Sequence, residues 1–175
     1  MPANPFLLID NKLKQRNLKL SSGFLINMPG NYIANYGAIP KRLQEKKFKK
    51  VDDLVEDISS VINSRKVIPY QESPYIIDRP FSAFSEKKVN SLTSCDANFR
   101  VDDKCSNCGI CARICPVKNI MMVDNTPLWN GYCEQCMTCI QYCPKEAIQY
   151  GNKTIKRKRY RNPNVNYLNV LLDEK

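Results

Sequence analysis

There is no histidine among the 175 residues. That absence removes Ser-His-Asp and Cys-His nucleophilic sites, Cys2His2 zinc fingers, Rieske-type centres and CxxCH haem attachment in one step. Chemistry must run instead on cysteine, carboxylate, lysine or a bound group. The sequence also lacks an apolar run of about 18 residues, the length a membrane helix needs. Its N-terminus, MPANPFLLIDNKLK, has no basic lead and no apolar segment followed by a small-residue cleavage site. Neither signal peptide nor membrane anchor is expected, and cytoplasmic residence is. Glycine is scarce, at six residues, and no Gly-rich phosphate loop occurs in the first 66.

What is plentiful is cysteine, at nine residues. Reducing compartments disfavour disulfide frameworks, so clustered cysteines point to metal or redox chemistry. The odd count leaves one over.

The organisation follows from periodicity. Residues 5–17 carry Phe6, Ile9 and Leu13 at helical spacing. The next apolar run, FLINM, reads as a strand ending in a Pro-Gly turn. Pro40 can open a helix whose apolar stripe is Leu43, Phe48, Val51, Val55, Ile58 and Ile62, ending near Arg65. The first 66 residues are therefore expected to form a helix–strand–helix unit. Residues 67–98, with Pro69, Pro74 and Pro80 among Tyr70, Tyr75, Phe81 and Phe84, suggest a strap packed across another domain. Residues 99–152 hold the cysteine-rich part, and 153–175 a basic tail.

The cysteine-rich part repeats itself. DDKCSNCGICARICPVKNIMMVD aligns with WNGYCEQCMTCIQYCPKEAIQYG, and Cys105 and Cys133 lie 28 residues apart. Such a repeat predicts a pseudo-two-fold unit. Each half reads C-x2-C-x2-C-x3-C-P: Cys105, Cys108, Cys111, Cys115, Pro116, then Cys133, Cys136, Cys139, Cys143, Pro144. A structural zinc site would use two separated pairs of ligands and explains two overlapping triplets poorly. Ile110, Ile114, Ile120, Ile140 and Ile148 lie within the repeat, Ile120 and Ile148 at matching places, and would exclude water. Cys95 fits neither triplet and reads as an ordinary half-buried thiol.

With both triplets in place, the segment resembles a bacterial-type 2[4Fe-4S] ferredoxin. The resemblance implies two [4Fe-4S] clusters, the first on Cys105, Cys108, Cys111 and Cys143. The second would use Cys133, Cys136, Cys139 and Cys115, each fourth cysteine crossing to the other cube. Two such clusters would bring the formal charge of +10 to roughly +6. More widely, GFLINMPGNYI, the helices on either side of it and the RYRNP tail resemble a family that joins a flavodoxin-like domain to a dicluster ferredoxin. The implied fold class is α+β: a ferredoxin-like domain preceded by a helix–strand–helix remnant of a flavodoxin-like α/β domain. The phosphate-cradling loop and the flavin-sandwiching loops of that family have no counterpart here, so FMN is not expected on this chain.

The implied function is low-potential electron transfer with no catalytic residues of the chain's own. The alternative is the electron-input module of a larger flavin-linked oxidoreductase. A third reading is a non-catalytic interaction module. The basic runs KRLQEKKFKK (41–50) and KRKRYR (156–161) accompany no nucleic-acid recognition fold. They suit the steering of a redox protein partner, acidic or flavin-containing. Trp129, Tyr142 and Tyr150 beside the motifs read as core packing rather than an electron relay.

Overall fold

A computed structural model of the chain describes residues 5–72 and 93–165. The described residues divide into two compact units, one of residues 5–29 and 40–72 and the other of residues 30–39 and 93–165. The expected strap lies mostly outside the described residues, as does the end of the tail.

In the first unit, α1 spans Pro5–Lys14 and α2 spans Lys41–Asn63. Pro40 sits just before α2, and its carbonyl accepts from the Leu43 and Gln44 N–H groups. This uses proline's fixed φ where its missing N–H costs nothing. The stripe predicted on α2 is largely open, with Leu43, Val55 and Ile62 exposed. FLINM departs from the expectation of a buried strand. It joins no sheet ladder, and Ile26 and Met28 are exposed. Among the described residues, the chain just before it makes two backbone hydrogen bonds, from Ile68 N–H to Ser21 O and from Gln71 N–H to Gly23 O. Two bonds to one neighbour, with no second strand beside it among the described residues, do not make a sheet. Gly23 is required here, because a Cβ would lie 2.9 Å from both the Phe6 ring and Tyr70 Cβ.

The second unit holds the repeat. A 3₁₀ turn at Thr93–Asn98 leads into β1 (Phe99–Val101), which pairs antiparallel with β4 (Ile148–Tyr150). Between them lie α3 (Ile110–Arg113), the hairpin β2 (Ile120–Val123) and β3 (Thr126–Trp129), and α4 (Thr138–Tyr142). The hairpin turns on Asp124 and Asn125, both at positive φ, the residue types that a two-residue turn of this hand favours. Phe99 stacks on Trp129 at 5.1 Å and meets the Tyr150 ring edge-on at 5.0 Å, so those two aromatics pack the core as expected.

Residues 30–39 were expected to belong with the helix–strand–helix segment and instead fold into this second unit. Ile33, 1% exposed, and Ala34 join Phe99, Ile120, Ile140 and Ile148 in its core. The segment beyond the Pro-Gly turn is thus part of the cysteine-bearing unit.

Candidate metal centre

The repeat written in the sequence is repeated in backbone and burial. Left-handed conformations recur at the 28-residue offset: Asn107 with Gln135, Gly109 with Met137, and Lys118 with Glu146. Gly109 and Met137 each precede the short helix that carries a third cysteine, α3 or α4. The loops coil at these points, between the cysteines of each triplet. After each fourth cysteine the same turn forms, with the amide four residues on donating to its sulfur. Asn119 N–H reaches Cys115 Sγ and Ala147 N–H reaches Cys143 Sγ, both at 3.3 Å. Gln135 N–H also donates to Cys133 Sγ at 3.3 Å. Donors to sulfur stabilise the thiolate form that a metal requires.

Burial matches pair by pair. Cys111 and Cys139 are buried, Cys108 and Cys136 exposed, and Cys105, Cys115, Cys133 and Cys143 half-buried. All nine cysteines are free thiols. Cys105, Cys108, Cys111 and Cys143 line one hollow, with Pro144 and Ile148 closing its apolar side. Cys143 is near enough to Cys111, and Cys115 to Cys133, for each to be felt electrostatically by its neighbour. Cys139 likewise feels Cys133 and Cys136. Each fourth cysteine thus lies near one cysteine of the other motif, Cys143 near Cys111 and Cys115 near Cys133.

Burial pushes the Cys111 thiol up to about 11, and Cys139 well above the ordinary thiol range. Burial also raises Cys133, opposed by the Gln135 N–H. Thiols this poorly hydrated become thiolates only where positive charge replaces the water, as iron in a bound cluster does. A zinc ion would need four sulfurs converging to about 2.3 Å from one point. Among the described residues no group of three or more His, Cys, Asp or Glu side chains is gathered closely enough to hold a metal ion. An all-sulfur donor set spread around a hollow, with amides aimed at sulfur, fits a polynuclear iron–sulfur group.

Several residues of this unit escaped the sequence reading. Gln141, buried, donates to Asn31 O at 2.6 Å and accepts from Tyr160 N–H at 2.7 Å, joining the 30–39 segment to the tail. The tail itself is no free basic surface. Arg157 donates to Ile33 O at 2.7 Å, Arg159 to Ile148 O at 3.1 Å and Arg161 to Gln141 O at 2.7 Å. Arg157 and Arg159 are half-buried, while Lys156, Lys158 and Arg161 are exposed. The R-x-R-x-R alternation inside KRKRYR was the available signal. Tyr142 faces the Arg161 guanidinium at 5.7 Å. With Asn31, Gln141 and Tyr160 it lines a second hollow, beside exposed Cys136.

Residues 104–148 match the family model of the 4Fe-4S dicluster domain. This part of the chain is accordingly a ferredoxin-like domain of iron–sulfur type. No curated protein and no solved structure matches the chain. No helix among the described residues is long and apolar enough to cross a membrane.

Proposed function

We propose that the chain is a low-potential electron carrier that holds two [4Fe-4S] clusters and has no catalytic residue of its own. The observation that carries this reading is the matched burial of the eight motif cysteines across the repeat. When bound, each cluster supplies a one-electron couple. The chain's own part is to fix that couple and keep water from it. Cys105, Cys108, Cys111 and Cys143 would hold the first cluster, and Cys133, Cys136, Cys139 and Cys115 the second. Ile114, Ile120, Ile140 and Ile148, all buried, surround these positions with apolar atoms. Such surroundings disfavour the more negative reduced form and so favour low potentials. Exposed Cys108 and Cys136 bring each site to the surface, where a redox protein partner, acidic or flavin-containing, can dock.

A second reading makes the chain the electron-input module of a flavin-linked oxidoreductase. The exposed stripe of Leu43, Val55 and Ile62 on α2 favours it, because a flavodoxin-like sheet on another polypeptide would cover such a face. Anaerobic reconstitution followed by iron, sulfide and flavin assay tests both. About eight irons without flavin absorbance supports the two-cluster carrier. About four irons, or zinc, would overturn the two-cluster assignment, and tightly bound flavin would overturn the statement that this chain carries none.

A further inference from the structure

The repeat makes the two cysteine sets near-copies, yet the charged groups beside their fourth cysteines differ. After Cys115, Asn119, 1% exposed, donates through Nδ2 to Asp96 Oδ2 at 3.1 Å. The Gly131 N–H donates to the same carboxylate oxygen at 2.7 Å. Asp96 is buried, and its charge is among those acting on Cys133. A carboxylate is thus fixed beside the set Cys133, Cys136, Cys139 and Cys115.

After Cys143 the position matching Asn119 is Ala147, which has no side chain to hold a carboxylate. The charges brought to this side include guanidiniums. Half-buried Arg159 donates through Nη2 to Ile148 O at 3.1 Å and to Gln149 Oε1 at 3.0 Å. Arg161, whose head is exposed, donates to Gln141 O and, at 3.1 Å, to the carbonyl of Cys143 itself. Arg159 in turn feels the charge of Cys143. Half-buried Asp102 lies on the same side, accepting from Gln149 Nε2 at 3.5 Å. With Glu146, whose charge also acts on Arg159, two carboxylates face two guanidiniums and that side is close to neutral, whereas the other holds the buried Asp96 carboxylate. Arg161, Glu146 and Lys118 are exposed and screened by solvent, so the less exposed Asp96 and Arg159 act most strongly.

We propose, resting on the two-cluster reading above, that these fixed charges give the pair unequal potentials. The set Cys105, Cys108, Cys111 and Cys143 is the higher, and the set Cys133, Cys136, Cys139 and Cys115 the lower. Adding an electron makes a site more negative. A poorly hydrated cation favours that change and a buried carboxylate opposes it, both more strongly than in water. Each set takes one electron from a reduced redox protein and yields it to an oxidised one. The first electron therefore rests on the Cys143 side, and the Asp96 side passes electrons onward. Asp96 and Arg159 are positioning residues for this asymmetry, since they act through the field at the sulfurs.

The test is EPR-monitored potentiometry on the reconstituted full chain, with iron content measured on each sample. The wild type is expected to reduce in two steps, with at least a tenfold preference for the first, which is about 59 mV for a one-electron couple. Asp96→Asn should raise the lower step and leave the upper in place. Arg159→Gln should lower the upper step alone, and Arg159→Lys, which keeps the charge, should restore it. If Arg159→Gln loses its clusters, Asp96→Asn still decides. A single step at about eight irons, or Asp96→Asn moving the upper step, overturns this inference and leaves the two-cluster reading standing. About four irons in the wild type would overturn both.

Discussion

Tyr32 donates its hydroxyl to Gln135 Oε1 at 2.6 Å, across 103 residues of sequence. Gln135 stands at positive φ between the first two cysteines of the second triplet, and its own N–H donates to Cys133 Sγ. The residue that coils the cysteine loop is thereby held from outside, by the segment just after the Pro-Gly turn. Its neighbour Ile33 fills the core of the same unit.

Removing either support should loosen that unit in a measurable way. Tyr32→Phe leaves the Gln135 amide oxygen without its donor and is expected to cost about 1–2 kcal/mol. Ile33→Ala opens a cavity and is expected to cost about 2–4 kcal/mol. Denaturant titrations of the reconstituted protein, followed by cluster absorbance, should show lowered midpoints, with Ile33→Ala the lower. Unchanged midpoints would mean that residues 30–39 do not support the cysteine-bearing unit.

Gln141 supports a prediction of its own. Its side chain satisfies Asn31 O and Tyr160 N–H together. Gln141→Leu keeps the volume but strands both backbone groups, at an expected cost of about 2–3 kcal/mol. Hydrogen exchange would show it as lost protection at the Tyr160 amide. Gln141→Glu keeps the acceptor for Tyr160 and should retain that protection.

The sequence announced some of this directly and hid the rest for physical reasons. Cysteine spacing is a local rule, so both triplets and the 28-residue repeat could be read from residue order alone. The positive φ at Gln135 and Met137 could not, because neither is glycine and only the matching Asn107 and Gly109 hint at it. The helix from Lys41 was legible from its apolar period, whereas FLINM, with an equally strand-like composition, found no ladder. Strand formation depends on neighbours that composition does not reveal. Nothing local marks Ile33, and only tertiary packing gives it a place in the core. The tail read as a charged surface because period-2 alternation of arginine with lysine changes no charge count.

Cys95 tests the division of the nine cysteines. It lies outside the repeat, half-buried, where its charge reaches Tyr32 and Tyr150. Cys95→Ser should retain about eight irons after reconstitution, whereas Cys115→Ser should lose cluster signal although it lies in the first motif. Loss of iron in Cys95→Ser would show that the spare thiol had been misassigned.

The first unit should show its own acid sensitivity. Asp10 is buried, pairs with Lys14 at 2.6 Å and accepts from the Leu20 N–H at 3.3 Å. The Lys14 side chain, then the Leu20 amide, hold its carboxyl below the ordinary carboxylate value. A depressed folded-state pKa stabilises the fold above the ordinary value, and that contribution disappears as pH falls through the depressed one. The Leu20 amide resonance should therefore shift with pH at a midpoint below that of a free aspartate. Asp10→Asn should abolish the shift, and a midpoint at the ordinary value would contradict the pairing.

The matched pair Gly109 and Met137 allows the backbone and side-chain roles of the loops to be separated. Both precede a short helix at positive φ, 69° and 60° respectively. A Cβ on Gly109 would meet nothing within 4 Å, so Gly109→Ala adds only left-handed strain, about 1 kcal/mol. Met137 already bears such strain, and its side chain is 1% exposed in the core. Met137→Ala leaves the strain and removes the packing, an expected cost of about 2–5 kcal/mol. Met137→Gly relieves the strain and should recover up to about 1 kcal/mol of that loss, whereas glycine in place of alanine at an ordinary φ would destabilise. Melting of the reconstituted variants should rank Gly109→Ala above Met137→Gly and Met137→Gly above Met137→Ala. A reversed order of the two Met137 variants would show that this residue is not held left-handed in solution.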